Sequence, residues 1–255
     1  MATILQHNVG RSADTLAALM ETAVKHRADL ILVQEAPPFQ GSRHPAFDLL
    51  WSGRALTARR RDSEWTATTE DRFTREAGGD VQVVSLWKRG CKDREVRIVN
   101  AYFQGTGREH RARQAEKARW DDILLEDCVA AGDFNAHSPR WNPLCSQRRD
   151  AKFLEELIDT HELQVLNNGE ATRPDSGCHS IIDLTLATPG AARFCREWRI
   201  LEDQEAAGSD HVVIEWKCKP GSLTLTRAGR RQERRNEEVT EVFIGRGMTN
   251  NCTRG

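Results

Sequence analysis

The chain has no apolar run approaching the roughly 20 residues of a membrane-spanning helix, so no span is expected. Its opening, Met1-Ala2-Thr3-Ile4, lacks the basic-then-apolar layout of a secretory signal. Acidic residues come early, at Asp14 and Glu21, which argues against a transit peptide. Readable cysteine pairing is also missing. The seven cysteines include no C-x-x-C and their number is odd, which argues against a structural zinc or a secreted disulfide framework. Free thiols in a reducing setting, nuclear or cytoplasmic, are expected instead. No internal repeat is visible, and net charge is nearly absent at −1. The chain is therefore no basic nucleic-acid binder by composition. The balance is uneven, however: Pro220 to Gly255 holds seven Arg against four Glu. A neutral body can still hold phosphates with a local basic rim around an acidic metal site.

What is present fits a globular enzyme: 255 residues, 38% hydrophobic and 29% charged. Thr3 to Asn8 reads as a strand and Ser12 as a helix cap. Leu16, Leu19, Met20, Ala23 and Val24 then recur at helical spacing. Asp29 to Glu35 is nearly continuously apolar, as in a strand buried on both faces, which completes a βαβ unit. Ala36 to Gly79 reads as loops with one strand near Arg54–Arg60. Val81–Trp87 and Val96–Tyr102 read as a strand pair. A helix is expected over Arg111–Cys128, a strand over Val129–Asp133, and a helix around Phe153–Ile158 with Asp150 as its cap. Strands follow at Val165–Leu166, Ile181–Ala187 and Val212–Trp216. Strands from both ends with few helices between predict two sheets packed face to face with helices outside. After Lys219 the composition shifts to Arg, Gly, Thr and Glu, and a disordered tail or linker is expected over 219–255.

Metal-assisted phosphodiester cleavage needs a hard carboxylate ligand, a base for water, donors for phosphoryl oxygens and shielding of developing charge. The chain offers such parts at strand ends. Glu35 leaves a buried strand; alone, it reads as a solvated strand-end Glu. In Gly132-Asp133-Phe134-Asn135-Ala136-His137, Asp133 and Asn135 alternate onto one side if the segment is extended. Alone, it reads equally as a turn with Asx hydrogen bonds. Ser209-Asp210-His211 precedes the last strand. A His there, oriented by a buried Asp183 that needs a charged or donor partner, would stabilise a pentavalent phosphorus. Trp65, Trp87, Trp120, Trp198 and Trp216 read as packing residues from their apolar flanks. Trp141, in a loop beside the centre, is kept as a stacking candidate.

Taken in order, Asn8, Glu35, Tyr102, Asp133 with Asn135, Asp183, and Asp210 with His211 resemble the endonuclease/exonuclease/phosphatase superfamily over about Thr3 to Lys217. The likeness is greatest to the endonuclease domain of non-LTR (LINE-type) retrotransposons, particularly those of fungal genomes. Three segments carry it: Ile4-Leu5-Gln6-His7-Asn8-Val9, the Gly132–His137 segment with Trp141 four residues on, and Ser180-x-Ile182-Asp183-Leu184.

The resemblance implies an α+β fold, a DNase I-like four-layer α/β sandwich of two mixed sheets flanked by helices, over 1–218. It implies a Mg²⁺-dependent endonuclease, with Mn²⁺ as a substitute, that nicks double-stranded DNA to leave a 3′-hydroxyl and a 5′-phosphate. Glu35 would be the main metal ligand, with Asn8 beside it and Asp210 supporting. Tyr102 would donate to the scissile phosphate, and Asp133 would position or deprotonate water. Asn135 would hold the phosphate, and His211 with Asp183 would stabilise the pentavalent state or act as the base. His137, Arg140, Trp141 and Ser180 would meet substrate. Arg11, Arg108, Arg111, Arg148 and Arg149 are further phosphate candidates. In the full element, a reverse transcriptase domain and element RNA would be partners, and no membrane is implied. Two departures stand out: Gly10 replaces a common Asp, and Phe103-Gln104-Gly105 replaces a Pro-containing loop. The alternatives are an exonuclease III-like abasic-site repair nuclease and an inactive DNA-binding relic.

Overall fold

The computed structural model of the chain describes residues 1–38, 43–74, 79–92, 94–105, 114–125, 127–145, 149–174, 179–201 and 208–219. The tail expected after Lys219 lies outside them, as do Arg108, Arg111 and Arg148. The chain opens with the βαβ unit that its periodicity predicts: β1 (Ala2–Asn8), α1 (Ala13–Lys25) and β2 (Leu30–Gln34). Ser12 caps α1, its hydroxyl accepting from Thr15 N at 3.1 Å. Leu19, Met20 and Ala23 are buried, whereas Val24, at the edge of the stripe, is exposed. β1 and β2 pair in parallel with Asn8 opposite Gln34. Asn8 and Glu35 therefore emerge side by side from one end of the pair.

The stretch expected to be mostly loop holds more structure: β3 (Phe47–Ser52), the expected β4 (Ala55–Arg60), β5 (Trp65–Thr69) and a short α2 (Asp71–Thr74). Polar residues interrupt the apolar pattern of these strands, with Asp48 and Ser52 in β3 and three threonines in β5, and conceal them. β6 (Val81–Lys88) and β7 (Val96–Tyr102) form the expected antiparallel pair. The single helix expected over Arg111–Cys128 does not form. A 3₁₀ turn at Gln114–Lys117 and a one-turn α3 (Trp120–Ile123) stand there, parted by Arg119, whose ψ of 67° leaves helical space. β8 (Cys128–Asp133) follows, then α4 (Lys152–Thr160). Asp150 does not cap α4; its φ is +55° and Ala151 holds the cap position without a side-chain bond. The remaining elements are β9 (Gln164–Val165), β10 (Asp183–Ala187), α5 (Pro189–Ala192), β11 (Cys195–Ile200) and β12 (Ile214–Cys218).

Two six-stranded sheets result, ordered β11-β12-β1-β2-β4-β3 and β5-β6-β7-β8-β10-β9. Strand alternation sorts their side chains into layers. Ile4, Leu30 and Leu32 of the first sheet share one buried cluster with Val84, Leu86, Ile98, Val129 and Ala131 of the second. On the far face of the first sheet, Leu5, Ile31 and Val33 pack with Leu19, Met20 and Ala23 of α1. On the far face of the second, Val83, Val99 and Ala130 pack with Trp120 of α3 and Leu154, Leu157 and Ile158 of α4. Helix, sheet, sheet, helix is the predicted four-layer order. Gln34 ties the sheets together by donating to Asn100 Oδ1 at 2.7 Å, while Asn100 donates to Val33 O and Leu56 O. Among the described residues no helix is long and apolar enough to cross a membrane. Of the five tryptophans expected to pack, Trp65, Trp120 and Trp216 are buried, Trp198 packs on the central cluster, and Trp87 lies under Lys92.

Candidate active site

Strand register assembles the site. β7 and β8 run in parallel with Tyr102 opposite Asp133, and β8 pairs with β10 so that Asp133 stands opposite Asp183. Three candidate residues thus form one row across the end of the second sheet. Asn8 and Glu35 form the matching end of the first. Gly132 permits the row, because a Cβ there would lie 1.8 Å from Ala101 O. His211 arrives on the loop before β12. That loop is anchored to β1 by Ser209, whose hydroxyl donates to Asn8 O at 2.7 Å and accepts from His211 N at 3.2 Å.

Asp133 is fully buried and accepts from three donors: Asn8 Nδ2 at 2.8 Å, Asn135 Nδ2 at 3.0 Å and Asn135 N at 2.9 Å. The segment is not extended as expected. Asn135 has φ +46°, and its N–H closes an Asx turn on Asp133. The turn and the site are therefore the same feature. Both amide hydrogens of Asn135 are committed, to Asp133 and to Phe103 O at 2.9 Å, so its geometry is that of an orienter of Asp133 rather than a phosphate clamp. Asn8 is corrected in the same way. Its Oδ1 accepts from Gly10 N at 2.9 Å, which turns its Nδ2 toward Asp133 and toward Glu35 Oε1 at 3.2 Å. It presents a donor there and not a metal ligand. Glu35, with φ +46°, is left-handed like Asn135, a strained conformation typical of functional positions.

His211 Nδ1 lies 3.0 and 2.8 Å from the two oxygens of Asp183. Thr172 Oγ1 holds Asp183 by accepting its N–H at 3.1 Å. Burial pushes the His211 imidazole down, but Asp183, Asp133 and Asp210 outweigh it and carry it up to about 9. Burial and the Asp183 charge push the Asp133 carboxyl up, against the pull of His211 and the donors from Asn135 and Asn8. Burial also raises the Tyr102 hydroxyl, helped by the charge and hydrogen bond of Glu35. His7, within the Ile4–Val9 segment, has no role assigned from the sequence. It is buried behind the dyad, its Nδ1 is 3.1 Å from Val212 O, and burial lowers it to about 4.

Ligand atoms of Asp133, Asp183 and His211 lie within 4.8 Å of one another, close enough to hold a metal. Glu35 adds a third carboxylate across the Asn8 amide. Three carboxylates against the His211 imidazolium leave surplus negative charge on hard oxygen donors, which suits a hard divalent cation.

The outlying residues divide. Ser180 is buried, with its hydroxyl 3.5 Å from His137 Nδ1, and His137 Nε2 receives Arg149 at 2.6 Å. These three lie together. Asp210 is engaged by Arg173 and is not in the Asp133–Asp183–His211 group. Arg173 Nε donates to it at 2.6 Å, and it reaches His211 Nε2 only at 3.8 Å. Trp141 is not a loop platform; it is 5% exposed and packs with Phe103 and Phe134 in the cluster under the second sheet. Arg140 is turned away, paired with Asp159 of α4 at 2.7 Å. Arg11 is exposed beside Glu35, whose carbonyl accepts its N–H at 2.8 Å.

Residues 96–215 match the model of a family described as endonuclease–reverse transcriptase. That span includes Tyr102, Asp133, Asn135, Asp183 and His211, and omits Asn8 and Glu35. Among solved structures, the endonuclease domain of TRAS1, a telomere-specific non-LTR retrotransposon, superposes with a TM-score of 0.66 at 20% identity, covering 87% of this chain and 99% of that one. The AP endonuclease LMAP from Leishmania major gives 0.62 at 12% identity, over 86% and 88%. The 3′ phosphatase NExo from Neisseria, bound to a product DNA hairpin, gives 0.55 at 16%, over 86% and 100%. At these identities the likeness is one of fold. No curated protein sequence matches the chain.

Proposed function

We propose that the chain is a divalent-metal-dependent DNA endonuclease of the endonuclease/exonuclease/phosphatase superfamily, a reading supported by the match of residues 96–215 to the endonuclease–reverse transcriptase family and by the shared fold. The observation that carries this reading is Asp133, buried and ionisable, caged by three N–H donors and set against the Asp183–His211 pair.

Glu35, at the end of the first sheet and bridged to Asp133 by the Asn8 amide, would hold Mg²⁺ or Mn²⁺. When bound, the cation supplies charge to the phosphoryl and leaving oxygens. The chain's own groups do the rest. Asp133, aimed by Asn8 and Asn135, takes the proton of water as the water oxygen bonds to phosphorus. His211, charged and held through Nδ1 by Asp183, presents Nε2–H to a phosphoryl oxygen that gains charge. Tyr102 donates a second hydrogen bond to the phosphate. The bond to O3′ breaks, and that oxygen takes a proton from solvent, leaving a 3′-hydroxyl and a 5′-phosphate. Such a nick would provide a primer end for a reverse transcriptase carried in a longer element.

The test is supercoiled plasmid with Mg²⁺, with and without EDTA, using the wild type, Asp133→Ala and His211→Ala. Mg²⁺-dependent nicking by the wild type alone is expected, with ends that a DNA polymerase extends directly. Equal nicking by all three proteins sinks the assignment. Incision confined to abasic-site duplexes would transfer it to the repair class.

A further inference from the structure

Arg54 stands outside every role assigned so far, yet its contacts lead to two of the proposed catalytic groups. It follows Gly53 at the tip of the β3–β4 hairpin. A Cβ on Gly53 would sit 2.8 Å from Gly79 Cα, and one on Gly79 would sit 2.7 Å from Gly53 Cα. Both have φ in the left-handed region, +56° and +85°. Two glycines far apart in sequence thus let the hairpin tip of the first sheet touch the backbone leading into β6 of the second. Gly79 O accepts both Arg54 N and Ala55 N at 3.1 Å.

The contact brings Arg54 against Asp80. The guanidinium donates to this buried carboxylate through Nε at 2.7 Å and through a second nitrogen. Asp80 in turn holds Tyr102 by its backbone, accepting Tyr102 N at 2.7 Å. The loop closes where Arg54 lies over the Tyr102 ring, 4.8 Å from its centroid. A further nitrogen donates to Gln104 Oε1 at 3.0 Å. The main chain of Arg54 reaches the other group, its carbonyl accepting Ala36 N at 3.0 Å immediately after the strained Glu35.

We propose that Arg54 is a positioning residue that fixes the Tyr102 hydroxyl and the Glu35 carboxylate relative to each other across the two sheets. The proposal rests on the nuclease reading for its kinetic consequences but not for its geometry. A forked guanidinium can grip Asp80 through two nitrogens and lie flat on a ring at once, which a lysine ammonium cannot. Charge alone therefore does not replace it. The field is consistent: Glu35 and Asp133 oppose ionisation of Tyr102, and Arg54 pulls the other way.

Tyr102 is the chain's one tyrosine, so protein labelled with 3-fluorotyrosine reports on it through a single ¹⁹F resonance. Arg54→Lys, which keeps a cation at the ring, is the test variant. It is expected to move or broaden that resonance and to lower kcat about tenfold or more with KM for plasmid DNA nearly unchanged. In a Tyr102→Phe background the same substitution should cost less than about threefold, because the hydroxyl it positions is gone. An unmoved resonance overturns the proposal, as does the same fractional loss of kcat in both backgrounds. If the wild type nicks nothing with either Mg²⁺ or Mn²⁺, the nuclease reading fails by itself. The resonance then decides for or against the hold of Arg54 on Tyr102.

Discussion

Replacing Asp183 with Asn keeps the shape of the dyad and removes its charge. An amide oxygen can still accept from His211 Nδ1, which now lies 2.8 to 3.0 Å from the carboxylate. The imidazole then loses the largest influence raising it, while burial, which lowers it, remains. Its rise from 6.5 to about 9 corresponds to ~3 kcal/mol favouring the charged form. Because the folded value lies above the unfolded one, this stabilisation is fully present below pH 6.5. It fades as pH rises and is gone above about 9. In Asp183→Asn the window narrows, and the His211 value falls, with Asp133 and Asp210 left as the influences that raise it. Two measurements check this on metal-free protein: the His211 Cε1–H resonance against pH, and thermal stability at pH 6 and pH 9. The stability difference between wild type and variant should be largest at the acidic end. Nicking at neutral pH should fall about 10²- to 10³-fold, since the imidazolium donor is lost, with the alkaline limb of the rate profile moving down by the same shift. An unchanged His211 titration would refute the charge argument. An unchanged alkaline limb would show that His211 is not the group acting as a cation.

Trp141→Ala should cost ~3–5 kcal/mol of stability, read as a fall in urea midpoint, because Trp141 fills the cluster under the second sheet. DNA affinity measured on the folded fraction should be unchanged. Arg140→Ala, which removes an exposed pair with Asp159 and a long hydrogen bond to Glu155 O, should leave the melting temperature nearly unchanged and the salt dependence of DNA binding as it was. Gly132→Ala should lower stability by ~2 kcal/mol or more, because its Cβ would meet the Ala101 carbonyl in a paired strand; a melting temperature equal to wild type would contradict the close approach.

The layers were legible because they depend on periodicity. Leu30 to Val33 is apolar at every position and is buried on both faces, and Ser12 announces α1 as its cap. β11 was not, since Arg196, Glu197 and Arg199 crowd its exposed face. The long helix expected before β8 is broken at Arg119, whose backbone leaves helical space, and what stands on either side is one turn only. In the site, residue identity pointed to the right strand ends, but hydrogen-bond direction was hidden. That Asn8 presents its nitrogen depends on Gly10 N, and that Asn135 is spent on Asp133 depends on a positive φ. Arg54 was invisible for a different reason. Its position depends on Gly53 meeting Gly79, a contact with no signature in either glycine's neighbours. Trp141 is hidden from sequence reasoning because its loop is a buried one, folded into the cluster under the second sheet.

On the nuclease reading, two groups compete to be the base: Asp133, or the dyad acting through His211. The electrostatics separate them. A His raised to about 9 carries its proton at neutral pH, so it can donate to a phosphoryl oxygen but has no lone pair to take a proton from water. Asp133 sits under opposing influences. Burial and Asp183 make its charged form costly, while three N–H groups aimed at its two oxygens keep that form accessible. A carboxylate held ionised yet more basic than usual is what proton abstraction near neutral pH requires. Beyond burial, one residue acts on both: the negative charge of Asp183 raises His211 and Asp133 together. The acid and the base are therefore not independent parts, and placing Asp183 opposite Asp133 in the β8–β10 register prepares both.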